Sequence, residues 1–192
     1  VQNVALENKD YPFVYSNFGI SVLGLVLESI YNDSFTNIMN DFIRNDLHLQ
    51  NTQAAKQNGN LNKYWKWKQN DGYIPPGSII SNIESMAIYL QLYMNNTISY
   101  LPMTYSKIKD INANQAAYEA MNIRMDSVGM TWMLDNKNDI IWHNGATTDF
   151  NSYIGFTQDR QRGVVILSNL NANDKISMTV IGAKLLTEQF DL

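Results

Sequence analysis

The sequence predicts an α+β fold, with a helical region followed by an antiparallel sheet and a C-terminal covering helix. Three observations predict it. Apolar residues recur at helical spacing through the first half; short β-branched and aromatic runs then follow one another closely; the last segment returns to helical spacing. Consecutive strands on short links pair antiparallel, and such a sheet needs at least one face covered. The terminal helix is the natural cover. The pattern divides the chain into 1–127, mainly helical, and 128–192, strands and a closing helix, together making one domain.

The elements follow in order. Residues 1–12 have no period and read as a loop. From Phe18, Val22, Leu23, Leu25, Val26, Ile30 and Tyr31 recur at helical spacing, with Asn17 as the cap and Asn32-Asp33 as the stop. This helix is apolar nearly all round and is expected to be buried. A second helix starts after Ser34, with Phe35, Ile38, Met39, Phe42 and Ile43 inward, and ends near Asp46 to Leu49. Residues 50–63 are polar and read as a loop. Tyr64 to Lys68 alternates aromatic and basic residues, as a short strand would, or as rings stacking on a ligand would. Pro75-Pro76-Gly77 reads as a turn. Ser81 caps the next helix, with Glu84 completing a capping box, and the helix stops near Asn95-Asn96. Segment 97–127 holds helical pieces near 103–109 and 113–122. Strands are expected at Gly129 to Leu134, Ile140 to His143, Phe150 to Thr157 and Gly163 to Ser168. The last helix runs from Asp174 to about Phe190, with Ile176, Val180, Ala183, Leu186 and Phe190 inward.

Composition excludes several classes. The chain is 45% hydrophobic and 17% charged, which supports a sizeable core rather than disorder. Its formal net charge of −4, with no Lys/Arg cluster, argues against a nucleic-acid partner. There is no cysteine, so no disulfide frame and no thiolate metal site. His48 and His143 lack ligand spacing, and no metal or other cofactor is expected. No apolar run reaches the length of a membrane span, and the first residues lack the pattern of a signal peptide. The abundance of asparagine reads as genome composition.

The most informative stretch is Trp142-His143-Asn144-Gly145-Ala146-Thr147-Thr148-Asp149-Phe150. It reads as two strands joined by a turn. A basic side chain two residues before a glycine can stand at a strand end beside backbone N–H groups, which suits an anionic or carbonyl substrate. An ordinary hairpin, with His143 merely capping the sheet, fits the same residues.

Several motifs together resemble a family. Tyr15-Ser16-Asn17-Phe18-Gly19 is similar to the Tyr-x-Asn element of class C β-lactamases and low-molecular-mass penicillin-binding proteins, with their esterase and peptidase relatives. Asp46-Leu47-His48-Leu49-Gln50-Asn51-Thr52 resembles the family's Pro-Leu-Gly-Met-x-x-Thr segment, and Gly77-Ser78-Ile79-Ile80-Ser81 its Gly-Gly-Leu-x-Ser-Thr helix entry. Gly129-Met130-Thr131-Trp132 is similar to its Gly-x-Gly-Trp strand. His143 to Phe150 resembles the Lys-Thr-Gly box and its sequel, and Gly163 to Asn169 the last sheet strand. Each is weak alone; six in order over about residues 12–170 carry the resemblance.

That resemblance implies a β-lactamase/transpeptidase-like fold and serine hydrolase chemistry through an acyl-enzyme. By motif, Tyr15 would be the general acid/base and Asn17 a donor to substrate. His143 would stand where the box usually has lysine. Asn144, Gly145, Ala146 and Thr147 would bind substrate, with the Ala146 N–H as one oxyanion donor. Taken alone, Tyr15 also reads as a core tyrosine and Asn17 as a plain cap. The implied substrates are peptidoglycan-like D-alanyl peptides, β-lactams or esters, and the implied location is extracytoplasmic, in the cell envelope or secreted.

One departure matters more than the match. In the family Ser-x-x-Lys precedes Tyr-x-Asn by many tens of residues, whereas here the only such motif is Ser106-Lys107-Ile108-Lys109, downstream and read as chance. The sequence therefore reads as an N-terminally truncated member lacking its nucleophile: a shortened chain, a gene fragment, or a fold completed by another chain. The strand Gly163 to Ser168 then becomes a sheet edge, with homo-oligomer formation expected through it. Two functions stay open. One is a serine hydrolase whose active species is the full-length protein, with the isolated chain inactive. The other is a non-catalytic binding module of the same fold.

Overall fold

The computed structural model describes residues 7–55, 65–68, 70–170 and 177–188. The chain forms two compact units, Val1–Ser81 and Asn82–Leu192.

In the first unit, α1 (Asn17–Tyr31) begins at Ser16, whose extended backbone lets its hydroxyl accept from the Gly19 N–H at 3.0 Å. It ends at Asn32 in the left-handed region, φ 52°. Here α2 (Phe35–Asn45) is capped by Ser34, as its sequence predicts, and buries Phe35 and Ile43. The chain then turns through His48, φ 55°, which lets Leu47 and Leu49 on either side both be buried. A two-stranded ladder pairs β1 (Gln53–Ala54) with β2 (Ile79–Ile80), and α3 (Ile74–Gly77) precedes β2. Gly24 of α1 lies so close to α3 that a Cβ there would stand 2.3 Å from Pro75 Cγ.

In the second unit, α4 (Ile83–Met94), α5 (Leu101–Tyr105), β3 (Lys109–Asp110) and α6 (Ala116–Glu119) lead into β4 (Ser127–Val128) and β5 (Met133–Asp135). The long strands β6 (Ile140–Ala146), β7 (Asn151–Thr157) and β8 (Gly163–Ser168) follow, and α7 (Met178–Thr187) closes the chain. The strands form one six-stranded antiparallel meander in sequence order. The fold is thus α+β, with the expected C-terminal cover.

Side chains alternate across the pleat, so each face of the sheet has its own core. On one face Ile141 and Phe156 join Leu90 and Tyr93 of α4 with Trp132, whose ring meets Tyr93 edge-on at 5.0 Å. On the other, Trp142 stacks on Tyr153 and α7 lies over them. Gly182 permits that approach, because a Cβ there would stand 2.0 Å from Tyr153 Cδ1.

Several expectations need correction. Ser16, not Asn17, caps α1, because the serine has the extended backbone and the reach to Gly19. Apart from Gly24, α1 is not buried: Phe18, Leu23, Leu25, Val26 and Ile30 are 46–68% exposed. Asn82, not Ser81, caps α4, accepting from the Ser85 N–H, while the Ser81 hydroxyl bonds Thr52 Oγ1 at 2.7 Å. Residues 65–68 form no strand; Trp65 instead meets Trp67 and Tyr73 ring to ring. Tyr64 lies outside the described residues. The turn expected at Pro75-Pro76-Gly77 is a helical one, Ile74–Gly77, since proline suits the first helical positions. Gly129 to Leu134 is a hairpin link into β5, closed by the Gly129 N–H on the Trp132 carbonyl at 2.9 Å, and not one strand. Asp174, Ile176 and Phe190 lie outside the described residues.

Gly182→Ala should destabilise the chain by about 1–3 kcal/mol, since the buried Tyr153 ring has nowhere to move. Urea unfolding measures this, and an unchanged midpoint would refute the close packing. His48→Gly should stabilise it by roughly 1 kcal/mol in the same assay, because glycine adopts the left-handed conformation without strain.

Candidate active site

Hydrogen-bond alternation fixes the geometry of β6. At one end of the β6–β7 ladder Thr147 N–H donates to the Phe150 carbonyl at 2.9 Å; at the other Gln158 N–H donates to the Asp139 carbonyl at 2.8 Å. Pairs alternate along an antiparallel ladder, so Ile141, His143 and Gly145 exchange their bonds with β7. Trp142, Asn144 and Ala146 turn their backbone groups the other way, toward β5. But β5 pairs only with Ile140 to Trp142. The Ala146 N–H therefore stands off β6 past the end of β5, with no partner among the described residues.

The pleat places His143 on the α4 face, across from Ile154, and Asn144 on the α7 face, where its amide donates to Thr179 Oγ1 at 3.0 Å. A cavity of about 200 Å³ opens on the α4 side between Met86, His143, Gly145, Ser152, Ile154 and Leu167. Any side chain at Gly145 would crowd Ser152, with a Cβ 2.8 Å from its hydroxyl oxygen.

The His143 ring is half-buried and its Nδ1 lies 2.6 Å from the Asn144 carbonyl oxygen. A carbonyl only accepts, so Nδ1 carries the proton. Burial holds the imidazole below its usual range, and the Asn144 carbonyl opposes this in part. His143 is thus neutral at neutral pH, unlike a lysine in the same place.

Tyr15 and Asn17 belong to the first unit. Tyr15 is 60% exposed; partial burial, then the neighbouring Tyr73, raise its phenol. The Asn17 amide donates to the Tyr73 hydroxyl. Tyr73 has no sequence signal, being remote from both; nor do Met86 and Leu167. Ser152 is the cross-strand partner of Gly145 and follows only from the hairpin register. Thr147 begins the link to β7.

Ser106 and Lys109 do not share a helical face. Ser106 is the extended residue after α5, its hydroxyl bonded to the Pro102 carbonyl at 2.8 Å, and Lys109 is in β3. Among the described residues no group of three or more His, Cys, Asp or Glu side chains could hold a metal ion.

Residues 9–186 match the beta-lactamase family. The chain is 22% identical over 174 residues to Protein flp of Staphylococcus aureus, covering 83% of this chain and 34% of that protein. It therefore spans about a third of the curated relatives it matches. An octameric penicillin-binding protein homologue from Pyrococcus abyssi superposes with TM-score 0.69 at 16% identity, covering 95% of this chain and 43% of that one. A β-lactamase/D-alanine carboxypeptidase from Yersinia pestis gives 0.62 at 17% identity, covering 90% and 53%. D-amino acid amidase from Ochrobactrum anthropi gives 0.64 at 14%, covering 89% and 56%.

A histidine whose folded pKa lies below its unfolded value of about 6.5 leaves stability untouched above that pH and lowers it as pH falls below it. The chain should lose stability between pH 7.5 and 5.5, and His143→Gln should shrink that loss. Denaturant titrations at both pH values with equal losses in the two proteins would refute the desolvated, neutral ring.

Proposed function

This chain belongs to the beta-lactamase family, and on that footing we propose that it carries the sheet-edge part of an acyl-transfer site for D-alanyl peptides, β-lactams or esters. The observation that carries the reading is the Ala146 N–H, directed off the open side of β6 one residue past Gly145 and three past His143. A fixed donor of this kind suits the oxyanion that forms when a nucleophile adds to a carbonyl.

In this reading a serine hydroxyl adds to the substrate carbonyl and gives its proton to a neighbouring base. The oxyanion accepts from Ala146. Collapse of the adduct breaks the bond to the leaving amine or alcohol, which takes a proton from a general acid, the role that the family resemblance implies for Tyr15, and water later releases the acyl group. The backbone of Asn144 to Thr147 orients the substrate, and the family resemblance implies a donor role for Asn17. His143 lines the substrate's end of the cavity and pairs with a carboxylate when protonated. The reaction's serine is one that these 192 residues do not hold in a helical Ser-x-x-Lys, so the full-length protein is the active species. The same observation favours a second reading, in which the fold only binds. Among these substrates the D-alanyl peptides belong to the cell envelope, and we infer an extracytoplasmic place of action from them.

Mass spectrometry after incubation with a fluorescent penicillin or an activated ester should show no covalent adduct on the isolated chain. Reversible penicillin binding should perturb the amide resonances of His143 to Thr147 and strengthen several-fold between pH 8 and 5. Such strengthening follows if the carboxylate raises the imidazole's pKa. An adduct on Ser106, or affinity independent of pH, would overturn the assignment.

A further inference from the structure

The chain carries two Asn-Gly dipeptides, Asn58-Gly59 and Asn144-Gly145. In such a pair the backbone nitrogen of glycine can attack the asparagine side-chain carbon, because glycine has no Cβ to shield the approach. A five-membered succinimide forms, ammonia leaves, and water reopens the ring as aspartate or isoaspartate. The first pair lies outside the described residues. The second lies in β6 at the candidate site, and the fold uses both of its residues. Asn144 ties the strand to α7 through Thr179, and a Cβ at Gly145 would stand 2.8 Å from Ser152 Oγ.

Three features of the fold oppose cyclisation at Asn144. The extended backbone of β6 turns the Gly145 nitrogen away from the Asn144 side chain, since ring closure needs a ψ far from the strand value of about +135°. The Gly145 N–H belongs to a hydrogen-bonded pair with Ser152, so the proton that must leave is held in the β6–β7 ladder. The Asn144 amide donates to Thr179 Oγ1 at 3.0 Å, and Thr179 is only 2% exposed, so the side chain is clamped against α7. A fourth feature works the other way. His143 Nδ1 donates to the Asn144 carbonyl at 2.6 Å and draws electrons from the peptide group that contains the Gly145 nitrogen, which makes its N–H more acidic.

We propose that Asn144-Gly145 is a deamidation site gated by the fold, held silent by the β6–β7 ladder and the Thr179 clamp and reactive when β6 leaves the sheet. The step balances with water alone. The Gly145 nitrogen gives its proton to hydroxide and bonds to Asn144 Cγ; the Cγ–Nδ2 bond breaks, and Nδ2 takes a proton from water and leaves as ammonia. Water then adds to one of the two ring carbonyls. Opening at the side-chain carbonyl gives aspartate, and opening at the main-chain carbonyl gives isoaspartate. Isoaspartate runs the main chain through Cβ and Cγ, one atom longer, and throws Gly145 and Ala146 out of step with Ser152 and Asn151. The modification thus removes the Ala146 N–H from its place and records how often β6 has opened. The chemistry is independent of the acyl-transfer reading, and either can fail alone.

The test holds the 192-residue chain in mildly alkaline buffer with and without urea, digests it, and follows the conversion of amide to acid at residues 58 and 144 by mass spectrometry. In urea Asn144 should convert at the rate of Asn58, the internal reference for an unconstrained Asn-Gly pair. In the folded chain Asn144 should convert at least about tenfold more slowly than in urea. Thr179→Val keeps the shape of the side chain and loses the acceptor; it should raise the folded rate several-fold and leave the rate in urea alone. Thr179→Ser keeps a hydroxyl and should retain the slow rate. Equal Asn144 rates with and without urea would overturn the proposal. So would a Thr179→Val rate that rises no further than its lost stability in urea unfolding accounts for, since the clamp would then be idle.

Discussion

The site exists because β6 outruns β5. Seven residues of β6 pair with β7, but only three pair with β5. From Ile140 to Trp142 the strand is an interior strand with both edges paired. From His143 to Ala146 it is paired on one edge only, and the backbone groups on the other have no ladder to join. The shortness of β5 follows from the hairpin at Gly129, where a Cβ would meet the Thr104 carbonyl oxygen at 2.6 Å. Strand length, set by a hairpin remote in sequence, thus decides which amides can serve a ligand.

The pleat then sorts chemistry from support. His143 and Gly145 face the cavity on the α4 side, while Asn144 is tied to Thr179 on α7. One residue of slip would exchange those roles. The register is held by aromatic packing on both faces. Phe156 meets Trp132 and Tyr105 edge-on at 5.6 and 5.4 Å, and Trp142 stacks on Tyr153 and donates from its indole to the Arg124 carbonyl at 3.1 Å. Large rings with few rotamers on each side of one sheet make a slip expensive.

Much of this was legible in the sequence. The three long strands and the helices α2, α4 and α7 follow from apolar periodicity, and β8 begins and ends where its apolar run does. The short strands β3 and β4 were not legible, because two residues carry no period. The cap of α4 lies one residue beyond the one its sequence predicts, since Ser81 and Asn82 are both good caps and only the structure shows that Ser81 is taken by Thr52. Asparagine abundance looked uninformative, yet Asn32, Asn96, Asn112 and Asn122 all sit at positive φ, where asparagine is tolerated better than other L residues. At the candidate site, the His143 to Thr147 segment was visible as a motif. Its protonation was not, because burial is a property of the fold. Nor was Tyr73, which reaches Asn17 only through the tertiary path of the first unit.

The exposed flank of α1 bears on where the chain opens first. A helix normally draws most of its persistence from an apolar face laid against a core. In α1 only Gly24 is fully buried, against Pro75, and the ends are held by Ser16 and Asn32. The sheet of the second unit has rings interlocked on both faces. Native-state hydrogen exchange should therefore find α1, which begins at Asn17, opening earlier than the sheet of the second unit.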